Sequence, residues 1–154
     1  EDAAYDPYTM YSDAAEGGAS ISRWKTAIEN DFAARMDWSI TNNYSDANHH
    51  PIAVVNGDTT RQILEVSASP GSSVALSADG SSDPDDDGLV YSWYFYDEPS
   101  SYGGGVTIQD SSTSAVTVQV PSDAGDQTIH VILELRDTGS PSLTVYRRVI
   151  INVQ

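Results

Sequence analysis

The chain has 154 residues with 39% hydrophobic content, enough for one compact domain and an appendage but not for two full domains. Its net charge of −16, from 23 acidic against 7 basic residues, excludes nucleic acid and anionic membranes as partners, because both bind through Lys and Arg. No run approaches the roughly 20 apolar residues that cross a bilayer, so membrane insertion is not expected, and the lack of cysteine removes disulfide frameworks and thiolate metal sites.

Most of the acidic residues are Asp, which favours turns, caps and hard-cation sites over helix interiors. That bias predicts a loop-rich β protein. The chain opens on Glu1 rather than Met, which predicts a processed or excised piece of something longer.

In chain order, residues 1–20 carry Tyr5, Tyr8 and Tyr11 among Asp, Ala, Ser and Gly with no sustained apolar period, and read as an irregular extended arm. From Ile21 the pattern changes. Trp24, Ala27, Ile28, Phe32, Arg35 and Met36 fall at three-and-four spacing, predicting an amphipathic helix over 21–40 with Ser22 as its cap. Such a stripe must pack on the downstream domain or on something outside this chain. His49-His50-Pro51 follows; adjacent imidazoles suggest zinc, but no HxxxH spacing supports it, and an extended loop before Pro51 is the plainer reading.

After Pro51, short apolar stretches are parted by turn clusters, with candidate strands near 52–56, 62–68, 73–78, 89–96, 115–120, 127–136 and 143–153. The expectation is an all-β, seven-stranded antiparallel sandwich over 51–154, preceded by the arm and helix of 1–50. Leu89, Tyr91, Trp93 and Phe95 alternate with Val90, Ser92, Tyr94 and Tyr96, as Ile129, Val131, Leu133 and Leu135 alternate with His130, Ile132, Glu134 and Arg136.

The turn before the first of these strands reads DGSSDPDDDG. Asp83, Asp85, Asp87 and Gly88 match positions 1, 3, 5 and 6 of an EF-hand loop, a spacing that wraps oxygens around calcium, but Tyr94 stands where the closing Glu should be and Pro84 stiffens the second position. A sandwich calcium site would recruit a carboxylate from another loop, and Asp137 in the DTGSP turn is the candidate. The alternative is a plain solvated turn. Carbohydrate binding needs exposed aromatic faces, for which Tyr94, Tyr96 and Tyr102 qualify, the last within the glycine-rich SSYGGG segment. Equally, Tyr94 and Tyr96 could cover the helix. Asp97-Glu98 is the only carboxylate pair beside the aromatics, and adjacent strand residues point to opposite faces, so no hydrolytic site is expected.

From ANHHP onward, SVALSADGSSDPDDDGLVYSW, VILELRDTGSP and RRVIINV resemble PKD-like and cadherin-like extracellular modules. RWKTAIENDFAARMDW running into ANHHP is similar to the C-terminal portion of bacterial cellulose-binding proteins whose N-terminal domain resembles nucleoside hydrolases. The resemblance implies an Ig-like sandwich in a secreted or periplasmic protein, a noncatalytic module that binds cellulose or a related glucan beside the N-terminal domain of the same protein. A spacer supporting a nucleoside-hydrolase-like domain is the second reading, and an enzyme site spanning that domain the third. Asp86 stands where such acidic turns commonly have glycine, which should alter the backbone there.

Overall fold

A computed structural model describes residues 22–154; the arm with Tyr5, Tyr8 and Tyr11 lies outside the described residues. Helix α1 (Lys25–Ile40) is followed by a 3-10 turn at Tyr44–Asp46 and by seven strands: β1 (Leu64–Ala68), β2 (Ser73–Ser77), β3 (Leu89–Phe95), β4 (Thr107–Gln109), β5 (Ala115–Gln119), β6 (Thr128–Asp137) and β7 (Thr144–Val153). They form two sheets, β1-β7-β6-β3 and β2-β5-β4. The expected all-β sandwich with an N-terminal helix is what the chain forms.

The period-two pattern selects the core. Trp93, Ile129, Val131, Leu133, Leu135, Val149 and Ile151 from the larger sheet meet Leu76, Val116 and Val118 from the smaller one. Register carries this across strands, with Trp93 opposite Leu133 and Ile129 opposite Ile151. Arg147 shares the inward parity of Val149 and Ile151, yet is buried. Its guanidinium is met by the Ala53 and Asp58 carbonyls, each at 3.1 Å, and by Asp58 Oδ1 at 2.9 Å.

Three expectations are corrected. β1 pairs with β7 in parallel, so only the other four pairings are antiparallel. Residues 52–56 form no strand, because Asn56 (φ 49°) and Gly57 (φ 78°) reverse the chain and Val55 bonds back to Asp58. The seventh strand is instead β4, three residues between a glycine run and the Asp110 turn.

The helix forms where expected, but Trp24 takes the N-cap position and no side chain caps it. Its orientation also differs. Asn30 Nδ2 donates to the Ser142 carbonyl at 2.8 Å, Trp38 Nε1 to the Asn48 carbonyl at 2.7 Å, and Trp24 sets its ring edge-on to Tyr146 at 4.8 Å and Tyr96 at 6.5 Å. These contacts turn Trp24, Ala27, Asn30, Ala34 and Trp38 toward the larger sheet and leave Ile28, Phe32, Arg35 and Met36 outside. No helix of the described residues is long and apolar enough to cross a membrane.

Candidate functional site

The acidic turn is held by its own first carboxylate. Asp83 Oδ1 accepts from the Asp85 N–H at 2.8 Å and the Asp87 N–H at 3.3 Å, an Asx arrangement that closes the loop without a ligand. The left-handed position is Asp86, with φ 62°, so Asp keeps the conformation that glycine would have supplied, and Gly88 does not make the bend that an EF-hand assigns to it. Gly88 instead donates to Thr138 Oγ1 at 3.0 Å, which ties the turn to the Asp137 loop.

The turn and Asp137 are therefore neighbours, as the sequence predicted. The four carboxylates nevertheless do different things. Asp85 accepts from the His49 N–H at 2.7 Å and lies 3.2 Å from His49 Nδ1. Asp137, fully buried, accepts from the N–H groups of Gly139 (3.0 Å) and Leu143 (2.9 Å) and from Asn48 Nδ2 (3.0 Å), and so staples the β6–β7 loop. Gly139 keeps this approach open, since a Cβ would lie 2.4 Å from Asn48 Nδ2 and would displace that side chain from Asp137. Asp87 has its carboxyl pushed above the usual range by burial, then by Asp83, Asp137 and Asp85. Among the described residues no three acidic or imidazole groups converge as a ready metal cage. Two buried oxygens, Asp83 Oδ2 and Asn48 Oδ1, have no hydrogen-bond partner, and both suit a hard cation.

The aromatic candidates are largely covered. Tyr102 is buried: its hydroxyl donates to Asp123 Oδ1 at 3.0 Å, and Gly104 lets the ring fold back, because a Cβ there would strike the phenol oxygen. One of the glycines that suggested ligand access, Gly104, instead admits the protein's own tyrosine. This corrects the expectation of an exposed Tyr102. Tyr96 lies edge-on to Trp24, with the Arg23 and Arg148 guanidinium groups 5.6 and 5.8 Å from its ring centre. Burial, then Glu134 and Tyr146, pushes the Tyr94 hydroxyl well above its ordinary value; burial and Glu134 push Tyr146 to about 12. Tyr96 and Tyr146 thus seat Trp24 at the start of the helix.

A different aromatic surface does reach solvent. His49 lies parallel to Tyr44 (centroids 3.6 Å, 3° between planes) and to Trp38 (5.7 Å, 6°), giving a three-ring stack that joins the end of α1 to the loop after it. Each member is fixed from behind: Trp38 by its bond to Asn48, His49 by Asp85, and the Tyr44 turn by Asn43 Nδ2 donating to Asp46 at 2.9 Å. Tyr44 remains 63% exposed. Beside it is a groove of about 240 Å³ bordered by Trp38, Thr41, Asn42, Asn43 and Tyr44. Trp38 also borders a larger groove of about 550 Å³ that continues to His50, Arg61 and Tyr146. His49 and His50 are thereby half-buried and separately engaged, His50 Nε2 lying 3.0 Å from Asp31 Oδ1, rather than a solvated pair.

Residues 73–153, more than half of the chain, match the family described as cellulose-binding protein Sde0182, C-terminal domain. The chain belongs to this family. It is also similar to a nucleoside hydrolase-related hypothetical protein from Saccharophagus degradans that is associated with carbohydrate metabolism. The two are 58% identical with a TM-score of 0.87 over 90% of this chain, and this chain spans 34% of that relative's length. A PKD domain from KIAA 1837 protein is 24% identical (TM-score 0.41, covering 60% of this chain and 81% of its own), and human CDH23 EC21-23 is 19% identical (TM-score 0.45, 68% and 33%). No curated protein matches. The family match begins at β2, so the helix and the Tyr44–His49–Trp38 stack lie before the matched segment.

Proposed function

We propose that this member of the family is a noncatalytic module that binds cellulose or a related β-glucan on the Tyr44–His49–Trp38 stack. The carrying observation is geometric: an exposed tyrosine ring backed by two parallel rings offers a flat, apolar, pre-oriented face with Thr41, Asn42 and Asn43 at its side. A glucan ring presents axial C–H groups to such a face and hydroxyls to such a rim. Binding that needs no side-chain reordering loses little to entropy. The family's name supports the ligand class.

Affinity electrophoresis through gels containing hydroxyethylcellulose tests it. Tyr44→Ala should weaken retardation at least tenfold with an unchanged melting temperature, while Tyr94→Ala should lower stability and leave affinity intact once folded. Retardation of Tyr44→Ala equal to that of the parent overturns the assignment, and no retardation of either on any glucan favours the spacer reading.

A second reading concerns calcium, favoured by two orphaned oxygens: Asp83 Oδ2, whose carboxylate acts on Asp87, and Asn48 Oδ1, on the side chain bonded to Asp137. We infer that calcium at roughly 0.1–1 mM affinity stabilises the turn through Asp83 and Asp87, which suits a secreted or periplasmic setting. The sign of the pH effect follows from Asp87. Its carboxyl sits above the usual range in the folded state, so ionising it opposes folding, and stability falls as pH rises through that range. Without calcium, Asp87→Asn should therefore melt above the parent at pH 7 and match it below about pH 3. With 10 mM calcium the order should reverse. A parent melting temperature indifferent to calcium leaves a plain turn.

A further inference from the structure

The outer face of α1 carries Ile28, Phe32, Met36 and Ile40, one every four residues and each 50–77% exposed. Its orientation is not free to change. Rotating the helix to bury this stripe would break the Asn30–Ser142 and Trp38–Asn48 bonds and separate Asp31 from His50. Four large apolar side chains within an arc of about 120°, with the exposed Lys25–Glu29 pair between them, form an exposed apolar patch of the kind that marks interaction surfaces.

We propose that this face docks the domain that precedes the module in a longer chain of the family. Three observations select that occupant. The family is named as a C-terminal domain, and the relative at 58% identity is about three times as long as the segment shared, so a substantial part precedes the module there. A second copy is disfavoured because each copy carries a charge of −16 and identical faces would bring those charges together. The stripe is four side chains on one helix, less than the roughly 800 Å² per partner that a free complex needs. A covalent tether removes that requirement, because an effective concentration near millimolar lets a small interface stay closed.

The inference stands apart from glycan binding, which uses the Tyr44 end of the loop. Its test is a full-length protein in which this chain replaces the matching third of the S. degradans relative. Hydrogen exchange of the Lys25–Ile40 amides is compared with that in the 154-residue chain alone. Exchange at least tenfold slower in the full-length protein, lost in Phe32→Asp/Ile40→Asp while the β6 amides stay protected, is the expected result. Equal exchange in the two proteins overturns the proposal. So does sedimentation of the isolated chain as a dimer that the same double substitution dissolves, because the occupant would then be a second copy.

Discussion

Arg147→Ala is expected to cost the fold about 3 kcal/mol, because it empties a buried site in the core face of β7 and leaves several partly buried acceptors without a donor. The guanidinium sits at a core-facing position of β7 and collects the Ala53, Asp58 and Gln62 carbonyls together with the Asp58 carboxylate. Those acceptors belong to the 53–62 loop, whose other anchors are the buried Val54 and Val55 and the bonds of Asn56 to Ser77 and of Val54 to Ser81. At roughly 2–4 °C per kcal/mol for a domain of this size, the melting temperature should fall by about 6–12 °C. Arg147→Lys should recover only a fraction, since an ammonium lacks the planar fork that reaches three carbonyls at once. The Asp58 carboxyl, held below the usual range by Thr60 and then by Arg147, supplies stability that is lost as pH falls through its folded-state value. The acid limb of the stability curve should therefore move to higher pH in Arg147→Ala. A variant that melts within 2 °C of the parent would show the loop to be held by other means.

Asp137→Ala should be of similar size. Two backbone N–H groups lose their acceptor, that of Leu143 fully buried and that of Gly139 partly so, and Asn48 keeps only its bond to the Pro141 carbonyl. At about 1–3 kcal/mol for each stranded donor, the sum is roughly 3 kcal/mol or more. Asp137→Asn separates the terms. Its amide oxygen can still serve both N–H groups, but its NH₂ would face the Asn48 NH₂, so the cost should drop to about 1–2 kcal/mol. Urea unfolding with an unchanged m-value would attribute both losses to the native state. Equal losses for Ala and Asn would point to the charge, and not the stapled loop, as what matters.

Legibility from sequence followed physical simplicity. Strands β3, β6 and β7 were readable because alternation fixes the inward set, with Trp93, Leu133 and Ile151 inside, although β6 also buries His130 and Ile132 on its outer face. The same rule hid Arg147, whose inward parity was visible but whose partners lie 85–94 residues away. The helix was readable as a helix and misread as to its buried face. Hydrophobicity favoured Ile28, Phe32 and Met36, whereas the protein buries Ala34 and half-buries Ala27, whose small size admits close approach, and uses the polar Asn30 as an anchor. The 52–56 strand failed at Asn56-Gly57, a turn signal that was present in the residues. At the site, Asp137 was brought to the acidic turn as expected because Leu89 and Asp137 are register partners across β3 and β6. Tyr44 and His49 carried no periodic signal, lying in a turn and an extended loop, and only the fold makes their rings parallel. Tyr102 looked accessible because three glycines follow it, and the middle one, Gly104, makes room for its own ring.

The three tryptophans stand in three different settings: Trp24 under the start of the helix, Trp38 in the stack and Trp93 in the core. Their indole N–H signals in a nitrogen-15 NMR spectrum therefore report separately on each candidate surface. Titration with cellohexaose should shift the Trp38 signal in a saturable way and leave Trp24 and Trp93 in place. A shift at Trp24, or no saturable shift at Trp38 while the protein still binds the sugar, would contradict the stack as the glycan site.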